Sequence, residues 1–231
     1  MPNHVINKIT VTGDAEMLRD MLESIRAEDQ ELGSVDFNKI IPMPDSMDIE
    51  SGSNTDKGLK AYTDFMFIYT LAGTRDDVDL DRIPKKSEEA FLNARPDATP
   101  AQWELGKTAY RNQSKYGAPT WYEWSIQNWG TKWNAYNSVE CEPHGDTAEL
   151  CFHTAWSPPQ PVLQRLSEQY PELAFSHAWA DEDIGFNCGI IEYKNGEIIS
   201  EYLPEGNEAV SFACEQWGYN PEEYEDMTMN M

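Results

Sequence analysis

Positive charge is what this sequence has least of. Seventeen Lys and Arg stand against 41 Asp and Glu, a formal charge of -24 over 231 residues. Such a balance repels a phosphate backbone or an anionic lipid surface at long range, so no direct contact with nucleic acid is expected. Long apolar runs are also missing. None approaches the roughly 20 residues that span a bilayer, and the opening MPNHVINKITV shows no basic stretch followed by an apolar one. Neither a membrane association nor a secretory leader is expected. Cysteine is scarce and scattered: Cys141, Cys151, Cys188 and Cys214 form no C-x-x-C pair, which excludes a zinc ribbon and a thioredoxin-type motif. A turn at His144-Gly145-Asp146 sets Cys141 opposite Ala148 or Glu149 rather than Cys151, which argues against a bridge there. Reduced thiols and a place in the cytosol of a host cell are the expectation.

Catalytic signatures are absent as well. The chain has no G-x-x-x-x-G-K-[ST], no G-x-G-x-x-G after a strand, no G-x-S-x-G and no H-E-x-x-H, which removes the common phosphate-loop, Rossmann, hydrolase and zincin chemistries. Cys151 and His153 share a strand face, and His177 lies on another predicted strand, but their spacing follows no metal-site pattern. We therefore assign no metal, no cofactor and no catalytic residue.

What is present is a pattern of alternating elements. KITVT, closed by Gly13-Asp14, predicts a strand, and Met17, Leu18, Met21, Leu22 and Ile25 lay one stripe along a helix that ends before Gly33. VDFNKII at 35–41 reads as a second strand, stopped by Pro42 and Pro44, giving a β-α-β unit. After an irregular 45–56, three helical stretches run to Tyr116; Thr99-Pro100-Ala101-Gln102 supplies a cap, an N1 proline and a capping-box glutamine. Farther on, SVECEP and AELCFHTAW predict a hairpin about His144-Gly145-Asp146. Ser157-Pro158-Pro159-Gln160 predicts a capped helix to Pro171, and LAFSHAW, IGFNCGIIEY and EIISEYL predict strands, the last two joined by Asn195-Gly196. A last helix ends at Gly218. The expected architecture is a single α+β domain of ferredoxin-like type with helices on one sheet face. Its core takes in 3–44 and 120–217, with a mostly helical insertion at 56–117 and an acidic tail at 218–231.

The segments MPNHVINKITVTG, FNKIIPMP (37–44), NWGTKWNA (128–135) and FHTAWSPP (152–159) together resemble the YubB-type ferredoxin-like family found in phages and plasmids. The resemblance implies a ferredoxin-like fold and a mobile-element origin, and it implies no reaction.

Two features are candidates for function. WYEWSIQNWGTKWNAY, residues 121–136, holds four of the eight tryptophans. They share no single helical or strand period, so the segment is either core between insertion and sheet or a site. In the second reading Asn128, Trp129, Lys132 and Trp133, with Trp156, line a pocket for a nucleotide-like or anionic ligand, indoles giving the walls and one amide and one ammonium the orientation. The other feature is clustered acid: Asp76, Asp77, Asp79 and Asp81; Asp181, Glu182 and Asp183; Glu222, Glu223, Glu225 and Asp226. Such runs are either solvated surface or contacts for a basic host protein, which a mobile element would engage to blunt a defence or nucleic-acid-binding factor. The leading expectation is an interaction protein rather than an enzyme.

Overall fold

β-Branched residues at alternate positions make His4–Thr12 a strand, β1, and its two edges recruit partners from far along the chain. The computed structural model describes residues 3–73, 78–95 and 97–221. In it β1 lies antiparallel to β2 (Thr147–Ala155) on one side and to β3 (Ala174–Asp181) on the other. β4 (Cys188–Lys194) and β5 (Glu197–Tyr202) extend the sheet in the order β2-β1-β3-β4-β5, antiparallel throughout. Since β2 and β3 are both antiparallel to β1, they run parallel to each other, and the helix between them, Gln160–Gln169, completes a split β-α-β unit. Asn195 and Gly196, at φ 51° and 78°, give the two left-handed positions that a two-residue hairpin turn requires.

Two compact units make up the chain, one of Met1–Pro42 with Ser125–Met231 and one of Met43–Trp124. In the first, one sheet face is fully covered. Val5, Ile9, Val11, Leu150, Phe152, Phe175 and Ile191 are buried on it, beneath α1 (Ala15–Ile25), α2 (Phe37–Ile40) and α7 (Gln160–Gln169). Phe37 of α2 meets Phe152 edge to face, with ring centroids 5.9 Å apart. The expectation of helices on one face only does not hold. α8 (Asn207–Trp217) packs Ala209, Ala213 and Cys214 against Ile6, Ala180 and Cys188 on the opposite face, where small apolar side chains let a helix approach.

The unit Met43–Trp124 is helical: α3 (Ser53–Gly73), α4 (Lys85–Asn93), α5 (Pro100–Tyr116) and the start of α6 (Trp121–Trp129). The capping box at Thr99 and Gln102 forms as predicted. α3 and α5 touch backbone to backbone at two glycines. A Cβ on Gly58 would stand 1.8 Å from the Gln102 oxygen, and one on Gly106 would stand 2.1 Å from the Gly58 oxygen. Around that contact Tyr62, Phe65 and Trp103 form a ring cluster. Glu88 is buried there against Lys107 at 2.7 Å and accepts from the Tyr62 hydroxyl at 3.3 Å. Burial first, and the Glu88 charge second, push the Tyr62 phenol far up from its ordinary value.

Three local expectations are corrected. Residues 35–41 contain the short helix α2 rather than a strand, because the Asp36 carboxylate caps the Asn38 N–H at 3.0 Å and the Asn134 side chain takes the Phe37 N–H at 2.8 Å. Residues 138–143 form no strand; isolated bridges flank them at Tyr136 with His153 and His144 with Thr147, and although the Val139 N–H reaches the Cys151 oxygen, the Cys141 N–H goes to Leu32 instead. α7 starts at Gln160, so its N-cap position falls on Pro159, which has no side-chain acceptor, and not on Ser157. The four cysteines are all free.

Packing generates two stability predictions. Gly106→Ala overpacks the α3–α5 contact, and a loss of about 3 kcal/mol or more is expected, read by denaturant melts together with exchange protection in 43–124. Complete burial depresses His177 from 6.5 to about 3, so the folded state refuses a proton that the unfolded chain accepts. His177 stabilisation is therefore complete above pH 6.5 and is lost as pH falls toward 3, at up to about 1.4 kcal/mol per pH unit. Melts between pH 7.5 and 4.5 should show this slope in the parent and a shallower one in His177→Gln; equal slopes contradict it.

Candidate docking surface at one end of the sheet

The tryptophan segment resolves into core and surface. α6 carries Trp124 and Trp129 inward, at 5% and 4% exposure. Trp129 donates its Nε1–H to the Ile41 oxygen at 3.0 Å and meets Phe37 edge to face, so it belongs to the core and not to a pocket wall. Asn128 is half-buried on the same helix. The chain then leaves α6 through Gly130, and Thr131 anchors it to β2: the Thr131 hydroxyl donates to the Ala155 oxygen at 2.8 Å and accepts the Ala155 N–H at 3.2 Å. That two-way bond brings Lys132 beside the end of β2. Its Nζ lies 4.9 Å from the Trp133 ring centroid and 4.7 Å from that of Trp156, and the two indoles remain 39% and 42% exposed. Of the five nominated residues Lys132, Trp133 and Trp156 thus meet in space.

The loop after β3 is tied to this group. Asn187 donates from Nδ2 to the Trp156 oxygen at 3.0 Å and to Asp181 at 3.2 Å, while Asn3 donates to Asp181 from its side chain at 3.1 Å and accepts the Trp156 N–H at 2.9 Å. Asp181 is therefore buried, 6% exposed, and also caps the Asp183 N–H. As a partner contact it is corrected: its oxygens are consumed by the loop. Glu182 and Asp183 stay exposed at the rim, Glu182 accepting the His4 N–H at 3.0 Å, and Phe186 stands 67% exposed between them and Asn187.

Beside Trp133 runs a row of rings that sequence reading missed. Tyr136 lies 6.3 Å from Trp133 and 5.7 Å from His4; His153 lies 6.3 Å from His4 and 5.4 Å from Trp217 of α8. The Tyr136 hydroxyl donates to the Thr154 oxygen at 3.0 Å, so the His4 Nδ1–H donates to the phenol oxygen at 2.7 Å. His153 Nδ1 meets the Asn137 amide at 3.2 Å. Burial, then the nearby His4, hold the His153 imidazole below its ordinary value, with Glu182 opposing. The one available signal was the segment MPNHV, which places His4 in a motif without saying why.

The other nominated residues lie elsewhere. Asp79 caps the Asp81 N–H at 3.0 Å and pairs with Arg82 at 3.1 Å, and Asp81 pairs with Arg111 at 2.8 Å, so in the helical unit these carboxylates meet local cations. Asp76, Asp77, Glu222, Glu223, Glu225 and Asp226 lie outside the described residues. His177 points to the sheet face opposite Cys151 and His153, since it pairs with Ile9 while they pair with Lys8 and Ile6. No group of His, Cys, Asp and Glu able to hold a metal forms among the described residues, and no helix there is long and apolar enough to cross a membrane.

Residues 128–228 match the family described as "Ferredoxin-like domain in Api92-like protein". The fold is ferredoxin-like. The match begins at Asn128 and takes in Lys132, Trp133, Tyr136, Trp156 and the loop at 181–187, so most of this surface lies within the matched residues, with Asn3 and His4 of β1 outside them. A crystal structure of a protein api92 from Yersinia pseudotuberculosis is similar at 13% identity, over 89% of this chain and 99% of that one, with a TM-score of 0.46. No curated protein matches.

Mutation separates the two kinds of tryptophan. Trp129→Ala is expected to cost about 3–5 kcal/mol of stability, while Lys132→Ala costs about 1 kcal/mol or less; comparable losses in urea melts contradict the division. In an NMR titration, His4→Asn should raise the His153 pKa and Glu182→Gln should lower it further.

Proposed function

We propose that this protein acts by binding another protein, and that the end of the sheet carrying Trp133, Trp156 and Phe186 is the contact centre. The observation that supports this reading is the joining of two groups by Asn187: half-exposed indoles on one side and the exposed carboxylates of Glu182 and Asp183 on the other. Protein interfaces concentrate their binding energy in a few aromatic anchors, with charged groups at the rim. A rim of carboxylates on a chain of charge -24 favours a basic partner and speeds its approach.

The likeness of the opening and central segments to YubB-type proteins of phages and plasmids extends the proposal. The protein is then a mobile-element product in the host cytosol, and its partner is a basic host protein, of which a nucleic-acid-binding defence factor is the chemical type. The Lys132 ammonium between two indoles supports a second reading, a small nucleotide-like anion taken up at that point.

The test is capture from host lysate at 50 and 300 mM salt (about 14 and 6 Å of screening length), using the parent, Trp156→Ala and the pair Glu182→Gln with Asp183→Asn. A partner lost in both variants and weakened by salt is the expected result. Retention by both variants overturns the docking surface, and a nucleotide that protects the parent but not Lys132→Ala against heat supports the second reading instead.

A further inference from the structure

The helical unit Met43–Trp124 contains a groove of about 590 Å³ whose lining differs from the rest of this acidic chain. One wall is a face of α5 bearing Thr108, Arg111, Asn112 and Lys115; the other is the turn of Pro44, Asp45 and Ser46, with Tyr116 at one end. The two walls are locked together. Asn112, 2% exposed, donates to the Ser46 oxygen at 2.7 Å and to the Pro119 oxygen at 3.2 Å, and accepts from the Ser46 hydroxyl at 2.6 Å.

Both cations of the groove have donors to spare. Among the described residues Arg111 spends only Nη2, on Asp81 at 2.8 Å and on the Leu80 oxygen at 3.3 Å, and its buried Nε–H has no partner there. A guanidinium carries five N–H donors, so most of this one is unspent. Lys115 rests its Nζ 4.7 Å from the Tyr116 ring centroid and forms no ion pair among the described residues. In a chain with 17 basic residues, two cations one turn apart on one helix face, beside a wall held in place by a buried amide, have a specific use. We propose that this groove binds the oxyanion group, a phosphate monoester or a carboxylate, of a small organic molecule, with Lys115 and Arg111 as its cationic contacts and Tyr116 as a flat wall for the attached body. The groove volume is that of a small-molecule site. Asp45, on the facing wall, disfavours additional negative charge and so limits the ligand to one anionic end. The site is independent of the docking surface, which lies on other residues of the chain.

The probes are inorganic phosphate and acetate, titrated into the full-length protein and followed by amide chemical shifts. Shifts confined to 43–46 and 108–117 are expected. Lys115→Met should weaken them about fivefold, the scale of one partly exposed ion pair. Asp45→Asn should strengthen binding of both anions about threefold, through loss of a repulsive charge. Stronger response to phosphate than to acetate assigns a phosphate ester, and the reverse assigns a carboxylate. Shifts spread over the surface, shifts indifferent to Lys115→Met, or weakening by Asp45→Asn would each overturn the proposal.

Discussion

One chain of buried hydrogen bonds holds three strands in register. His177 of β3 donates from Nε2 to the Asn7 oxygen at 3.0 Å; Asn7 of β1 donates to the Thr154 hydroxyl of β2 at 2.9 Å and to the Val5 oxygen at 3.0 Å; the Thr154 hydroxyl donates to the Ser157 oxygen at 2.8 Å. All three side chains are wholly buried. Each link forces the direction of the next, because the Asn7 amide must give both its protons and its oxygen can only accept. A slip of any strand by one residue would leave several of these groups unpaired in an apolar layer, at about 1–3 kcal/mol each. The relay ends on the turn just after Trp156, whose backbone is held at φ 70°. Strand register and the placement of an exposed indole are therefore one problem with one solution.

That solution draws on residues far apart in the chain. Asn134 takes the Phe37 N–H, Trp129 reaches Ile41, Thr131 joins Ala155, and Asn3 joins Trp156. Each bond connects two of the four segments whose combination suggested a family. They read as motifs because they are the facing halves of single hydrogen-bonded joints. The proposed docking surface is the solvent side of those joints, so its stability comes from the core and its chemistry from what the joints leave exposed.

Where the physics was local the sequence was mostly legible, the Ser157 cap of α7 being an exception. The capping box at Thr99, the Asn195-Gly196 turn and the stripe from Leu18 to Ile25 are decided by neighbours within a turn or two. Residues 35–41 were not, because a side chain 97 residues away takes the Phe37 N–H. The same applies to Asp181, which reads as one of three surface acids and is buried through Asn3 and Asn187. Of the nominated pocket, Lys132, Trp133 and Trp156 meet in space, whereas Trp129 turns inward, since composition marks an indole as useful without saying which way it faces. The ring row through His4, Tyr136 and His153 needs the pairing of β1 with β2 and the bridge from Tyr136 to His153, neither of which a local pattern contains.

The position of β1 in the sheet sets a schedule for synthesis. Both of its neighbours, β2 and β3, begin only at Thr147 and Ala174, after the whole of Met43–Trp124. At ribosomal speeds of about 5–20 residues per second, a β-branched strand waits on the order of ten seconds for a first partner while the sequence-contiguous helical unit emerges. During that interval the nascent chain exposes two unpaired strand edges, the form most open to capture by other chains. Eight carboxylates from Asp14 to Asp36, set against Arg19 and Arg26 alone, follow β1 directly in the chain and hold other acidic chains off by charge repulsion.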